Sequence, residues 1–148
     1  MANTYSCLHY HIIFSTKDRE PRITDDLRQR LYDYIGGTLR AAKAKLVAIG
    51  GTCDHLHLLI GMGTEPSLAA MVNKVKANSS RWLNETFANN PRFEWQRGYA
   101  AFAVSKSNIP EAKDYIENQT EHHRHRTFRE EFITFLKRHG IQYDERYV

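Results

Sequence analysis

The stretch Cys53-Asp54-His55-Leu56-His57-Leu58-Leu59-Ile60 places two imidazoles one residue apart inside a run that otherwise reads as a buried strand. Side chains alternate between the faces of a strand, and residues two apart lie about 6.6 Å from each other along it. His55 and His57 therefore share one face, and Leu56, Leu58 and Ile60 take the other. The back of such a strand packs into a core, while its front offers two nitrogen donors at a spacing that suits one divalent metal ion. The same pattern also serves as two satisfied polar residues on a half-exposed sheet, so the rest of the chain must decide.

Just upstream, Lys45 to Gly50 reads as a short strand through Leu46, Val47 and Ile49, with Gly50-Gly51 as turn-permissive residues linking the two strands in a hairpin. Earlier still, Tyr5 to Thr16 alternates Leu8, Tyr10, Ile12 and Phe14 with His9, His11 and Ile13, which predicts a first strand. Between them, Thr24 as N-cap, Asp25 and Asp26 in the first turn, and Leu27, Leu31, Ile35 and Leu39 at helical spacing predict an amphipathic helix. Gly36-Gly37 within it means either a close backbone approach or an early helix end.

Downstream, Ser67 can cap a helix with an apolar stripe of Leu68, Met71, Val72, Val75, Trp82 and Leu83. Its polar row of Lys74, Asn78 and Arg81 is either a solvated face or a place for phosphates. Ala101 to Ser105 reads as a fourth strand, and Pro110 sits in the first turn of a helix from Glu111 to His122. Strand, helix, strand, strand, helix, strand, helix is the βαββαβ plan of an α+β ferredoxin-like sandwich, a four-stranded antiparallel sheet with helices on one face. Its first and third strands are central neighbours, bringing His9 or His11 close to His55 and His57, and its opposite face is expected to be open. Thr127 with Glu130 forms a capping box for a last helix whose Phe128, Phe132, Phe135 and Leu136 must be covered by the chain's own sheet or by a second subunit.

The 148 residues suit a single domain over 1–148, with a core at 5–122 and a C-terminal helix and tail at 127–148. With 41% hydrophobic and 11% aromatic residues the chain is not disordered, and a net charge of +4 leans towards an anionic partner. No apolar run approaches the roughly 20 residues of a membrane helix, and no signal-peptide plan opens the chain, so the expectation is a cytoplasmic protein without membrane contact. Cys7 and Cys53 are too few for a disulfide framework and read as small buried residues.

On the Glu111 to His122 helix, Tyr115 and Gln119 stand at i and i+4, with Ala112 and His122 on the same side. A tyrosine on a helix most often buries its ring and hydrogen-bonds its hydroxyl. Two imidazoles, an amide oxygen and a phenol nevertheless match the needs of phosphodiester transfer through a covalent intermediate. Asp54-His55-Leu56-His57-Leu58-Leu59-Ile60 and Tyr115-Ile116-Glu117-Asn118-Gln119 resemble the HUH-type single-tyrosine transposases of small bacterial insertion sequences, the insertion-sequence-200-like group with its REP-associated relatives. The resemblance continues in His11-Ile12-Ile13-Phe14-Ser15-Thr16-Lys17-Asp18-Arg19 and in Trp95-Gln96-Arg97-Gly98-Tyr99.

The resemblance implies a metal-dependent single-stranded DNA endonuclease and strand-transferase. His55, His57 and Gln119 would hold Mg²⁺ or Mn²⁺, and Tyr115 would attack the scissile phosphate to leave a 5′-phosphotyrosine link and a free 3′-hydroxyl. No nucleotide cofactor is then needed. It further implies hairpin-ended single-stranded DNA as partner and a homodimer in which one subunit can complete the site of the other. His11 and His122 are candidates for orienting the ligands from behind. Lys17, Arg19, Lys74, Asn78, Arg81, Arg97, Arg124 and Arg126 are candidate DNA contacts. The tract Glu121-His122-His123-Arg124-His125-Arg126 reads as a cationic, DNA-facing or solvated segment rather than a metal tract, because its arginines would repel a cation. Tyr99 is a rival nucleophile but lacks an amide at helical spacing. Two other readings are a domesticated repeat-processing nuclease with the same chemistry, and a non-catalytic nucleic-acid-binding module using Tyr10 or Phe14 to stack bases.

Overall fold

The computed structural model describes residues 3–148. The chain runs β1 (Leu8–Ser15), α1 (Asp25–Ala41), β2 (Lys45–Gly51), β3 (His55–Met62), α2 (Leu68–Thr86), β4 (Ala100–Ala103), α3 (Ile109–Glu117), α4 (Gln119–His122) and α5 (Phe128–Arg138). The strands form one antiparallel sheet in the order β2-β3-β1-β4, the ferredoxin-like arrangement with β1 and β3 at its centre. The first strand begins at Leu8 rather than Tyr5, whose side chain stands 91% exposed.

The two faces follow from the alternation of side chains. Ile12 and Phe14 of β1 and Leu56, Leu58 and Ile60 of β3 join Leu27, Leu31, Ile35 and Leu39 of α1 and Met71, Val72, Val75 and Leu83 of α2 in the larger core. Each such buried aliphatic side chain stabilises the fold by about 1.5–3 kcal/mol. Ser67 caps α2 by accepting from Ala70 N, whereas the Thr24 hydroxyl engages Asp26 rather than a helical N–H. Helix α1 runs straight through Gly36-Gly37; a Cβ on Gly36 would meet only the Leu46 side chain and one on Gly37 nothing, so neither anticipated reason for the pair holds.

The opposite face is not open as expected. Helices α3 and α5 lie across it, with Ile116 against Ala48 and Leu59, and Phe128 and Leu136 against Ile13, Ala100 and Phe102. The apolar side of α5 is thus covered by its own sheet. Gly50 makes this possible: a Cβ there would stand 2.0 Å from the Ile116 carbonyl oxygen, so α3 rests on bare backbone. Gly51 is likewise crowded by the His55 carbonyl, at 2.1 Å, and the glycine pair therefore serves close approach more than turn conformation. Both cysteines are exposed, contrary to their reading as buried residues.

The predicted helix from Glu111 to His122 is broken. Asn118, at φ −106° and ψ 30°, separates α3 from α4. At the other end of β1, the segment before β4 hooks onto the strand end, with Gln96 N donating to Ser15 O and Lys17 N to Glu94 O. Lys76 of α2 pins that segment by donating to the Gln96 and Gly98 carbonyls at 2.7 and 2.8 Å.

Candidate active site

Pairing of β1 with β3 puts Ile13 opposite His57 and Ser15 opposite His55, so the histidine face of β3 continues into β1. His55 and His57 are both fully buried beneath α3, α4 and α5. His55 Nδ1 donates to Asp54 Oδ1 at 2.8 Å, which directs Nε2 inward. There it stands 3.2 Å from Gln119 Oε1 and 3.8 Å from Glu131 Oε1. His57 Nε2 lies 2.9 Å from Glu131 Oε1, and its Nδ1 lies 2.7 Å from His11 Nε2. His123 Nε2 completes the group at 3.0 Å from Gln119 Oε1 and 3.3 Å from Glu131 Oε1.

Tyr115 reaches the same carboxylate: its hydroxyl donates to Glu131 Oε2. The tyrosine, the amide and the two strand histidines are thus assembled within one chain. On its other side the phenol lines a cavity of about 270 Å³ together with Arg126 and Arg138. His122 stacks on the Tyr115 ring with centroids 4.4 Å apart, behind the nucleophile rather than behind the histidine ligands.

Ligand atoms of His55, His57, His123 and Glu131 all lie within 4.8 Å of one another, a group that could hold a metal ion. The donor chemistry fits. With Nδ1 committed to Asp54, His55 Nε2 faces the Gln119 carbonyl oxygen, an acceptor, with Glu131 Oε1 beyond it. Gln119 is held in that orientation because its Nε2 donates to the Tyr115 carbonyl. Imidazole nitrogens, an amide oxygen and a carboxylate oxygen turned to one point are a donor set that a divalent cation can take.

The electrostatics separate the imidazoles. Burial lowers the pKa of His11 to about 3, reinforced by the neighbouring His57. Burial likewise lowers His57, against the pull of Glu131. For His123, burial is outweighed by the hydrogen bond and charge of Glu131, and the pKa rises. Burial alone would raise Glu131, but hydrogen bonds from His123, His57 and Tyr115 hold the carboxyl well below the usual range. Burial and the adjacent carboxylate raise the Tyr115 phenol. At neutral pH the phenol therefore keeps its proton and needs an acceptor before it can act as a nucleophile.

Glu131 is absent from the expected ligand set, and His123, set aside with its arginine-rich tract as cationic and DNA-facing, instead joins the group that could hold a metal; each has a readable sign. Glu131 falls between Phe128, Phe132 and Phe135 on the apolar side of α5, where an acid is out of place unless something buried receives it. His123 stands four residues after Gln119, so a helical turn brings them together despite the arginines around them. Asp54, quoted only as part of the strand motif, orients His55. The candidate DNA contacts are dispersed. Lys17 is paired with Glu94 and Arg124 with Glu121. Lys74, Asn78 and Arg81 sit on α2, in the helix layer across the sheet from the histidines. Arg126 lines the Tyr115 cavity, and Arg19 packs over the Phe128 ring. Tyr99 stays outside the cluster, 40% exposed.

The sequence model of the family described as IS200-like transposases matches residues 4–119. ISDra2 transposase TnpA of Deinococcus radiodurans is 22% identical over 120 residues, spanning 76% of this chain and 84% of that protein. The crystal structure of a candidate transposase from Deinococcus radiodurans R1 superposes with a TM-score of 0.66 and 27% identity, over 80% of this chain and 95% of that one. A REP-associated tyrosine transposase bound to a REP hairpin shares the fold, with a TM-score of 0.58 and 13% identity over 78% of this chain and 68% of that one. The family match ends at Gln119, so His123 and Glu131 stand beyond it.

Proposed function

We propose, from the premise that this chain belongs to the IS200-like transposase family, that it cuts and rejoins single-stranded DNA through a 5′-phosphotyrosine link on Tyr115. The observation that carries this reading is the carboxylate shared by Tyr115 and His57: one oxygen of Glu131 receives the phenol proton and the other receives His57 Nε2. Nucleophile and histidine pair are therefore separated by a single side chain.

In the cutting step Tyr115 Oη, oriented by its hydrogen bond to Glu131, bonds to the scissile phosphorus and loses its proton to water, and the bond from phosphorus to the 3′-oxygen breaks. The 3′-oxygen takes a proton from water and leaves as a hydroxyl. Rejoining is the reverse with another 3′-hydroxyl, and the phosphotyrosine conserves the bond so that no nucleotide cofactor is consumed. His55, His57 and Gln119, with His123 and Glu131 in reach, would hold Mn²⁺ or Mg²⁺, which when bound offsets charge on the phosphate. A set rich in imidazole favours manganese of the two. Arg126 and Arg138 stand where they can neutralise the phosphate on the tyrosine side.

Hairpin-ended single-stranded DNA as substrate is supported by the structural relative bound to a REP hairpin. A homodimer is what the family resemblance implies, and a cytoplasmic location is the expectation from the sequence; among the described residues no helix is long and apolar enough to cross a membrane. The test incubates the protein with labelled hairpin-bearing single strands from the DNA flanking its gene, with Mn²⁺ or with chelator. The expected product is a metal-dependent protein–DNA adduct that survives denaturation and is absent in Tyr115→Phe. An adduct that persists in that variant overturns the role of Tyr115.

A further inference from the structure

The two strand histidines face two different sets of partners. With Gln119 they make three ligands, one short of filling a tetrahedral ion. With His123 and Glu131 they make four, whose ligand atoms all lie within 4.8 Å of one another. Glu131 Oε1 is the hub of this second set, 2.9 Å from His57 Nε2, 3.3 Å from His123 Nε2 and 3.8 Å from His55 Nε2. Those separations bracket the roughly 3.3 Å between neighbouring donors around a tetrahedral ion with bonds of about 2.0–2.1 Å. Gln119 Oε1 competes for the same place, 3.2 Å from His55 Nε2 and 3.0 Å from His123 Nε2. The surroundings are those of a closed site. His55, His57 and Glu131 are fully buried, and His123 keeps only 13% of its side chain exposed. Asp54 and His11 already occupy the far nitrogens of His55 and His57, as the partners of metal-bound imidazoles do.

Three imidazoles and one carboxylate suit Zn²⁺ better than Mn²⁺, which stands lowest among the first-row divalent ions in affinity for such donors and is at home in six-fold oxygen coordination. Four protein ligands leave a tetrahedral ion no position for water or for a phosphate oxygen. We propose that Zn²⁺ takes His55, His57, His123 and Glu131 as a closed four-ligand site that keeps this chain from cutting DNA, while the open set of His55, His57 and Gln119 serves the cleaving ion. The assignment rests on the cleavage reading above and adds its regulation. The four ligands come from β3, from the C-cap of α4 and from α5, so zinc also staples the last two helices to the sheet. It ties up one oxygen of the carboxylate whose other oxygen holds the Tyr115 hydroxyl.

The test uses the full chain after removal of metal by chelator. Co²⁺, the spectroscopic stand-in for Zn²⁺, should give the intense visible bands of a four-coordinate ion and lose them on addition of one equivalent of Zn²⁺. The weak bands of six-coordinate Co²⁺ overturn the site. Zn²⁺ affinity, read by competition with a chromophoric chelator, should fall by more than about 100-fold in His123→Ala, beyond the 10–100-fold that loss of a merely orienting partner costs. A smaller fall takes His123 out of the ligand set and overturns the four-ligand assignment. In Mn²⁺, one equivalent of Zn²⁺ per chain should suppress the tyrosyl adduct, and an adduct that forms equally well with zinc bound overturns the regulation. A chain that holds four-coordinate Co²⁺ yet forms no adduct in Mn²⁺ alone overturns the cleavage reading and leaves the zinc site; a normal adduct with six-coordinate Co²⁺ does the reverse.

Discussion

His11 Nε2 lies 2.7 Å from His57 Nδ1, a contact that fits His57 to serve a metal. With the Glu131 carboxylate accepting at His57 Nε2, that nitrogen carries the proton and Nδ1 accepts from His11. Once Nε2 gives its lone pair to a cation, the ring's proton must sit on Nδ1 and donate to His11 instead. A neutral histidine at position 11 accommodates both states, because either of its tautomers is available. His11→Ala should therefore weaken Mn²⁺ binding by about 10–100-fold without unfolding the sheet. Isothermal titration with Mn²⁺ and far-ultraviolet circular dichroism check the two halves of that statement, and unchanged affinity would show that His57 needs no partner.

Metal binding should itself raise stability. An ion at a concentration 100 times its dissociation constant adds about 2.7 kcal/mol to the folded state. The melting temperature is expected to rise with Mn²⁺, to fall back with chelator, and to be insensitive to both in His55→Ala/His57→Ala. Glu131→Gln separates the unforeseen carboxylate from the strand pair: a reduced but measurable shift is expected if the histidines carry most of the affinity. A full wild-type shift would remove Glu131 from the ligand set.

The burial of His11 gives a pH dependence with a definite sign. Its folded pKa, about 3, lies below the ordinary histidine value of 6.5, so protons bind the unfolded chain preferentially between the two. The contribution of His11 to stability without metal is complete above pH 6.5 and is lost as the pH falls towards 3. Between pH 6.5 and 4.5, the upper limit at which carboxylates begin to contribute, His11→Gln should flatten the slope by up to about 1.4 kcal/mol per pH unit. Urea unfolding at pH 6.5, 5.5 and 4.5 measures it; parallel slopes for variant and wild type would contradict the burial of a neutral ring.

Gly50 and Gly37 make a matched pair of tests. A methyl on Gly50 meets the Ile116 carbonyl at 2.0 Å and must displace α3, which carries Tyr115. Gly50→Ala should cost about 1–3 kcal/mol in urea unfolding and abolish adduct formation. Gly37→Ala meets nothing and, as a helix-interior replacement, should stabilise by up to about 1 kcal/mol.

The alternation of His55, Leu56, His57 and Leu58 was enough to place β3 and its two faces, because a strand's period of two leaves no freedom in which side chains share a face. The same local rule set the order of strands and helices, and the i, i+4 spacing of Tyr115 and Gln119 told that they point together. Tertiary structure decided the rest. The helix break at Asn118 and the packing of α5 over Ile13 and Phe102 bring His123 and Glu131 to residues more than 60 positions away in the chain. No local pattern encodes that meeting, since it depends on where the apolar side of α5 finds cover. Its phenylalanines find that cover on the sheet face left free by α1 and α2, and the acid between them is carried into the histidines.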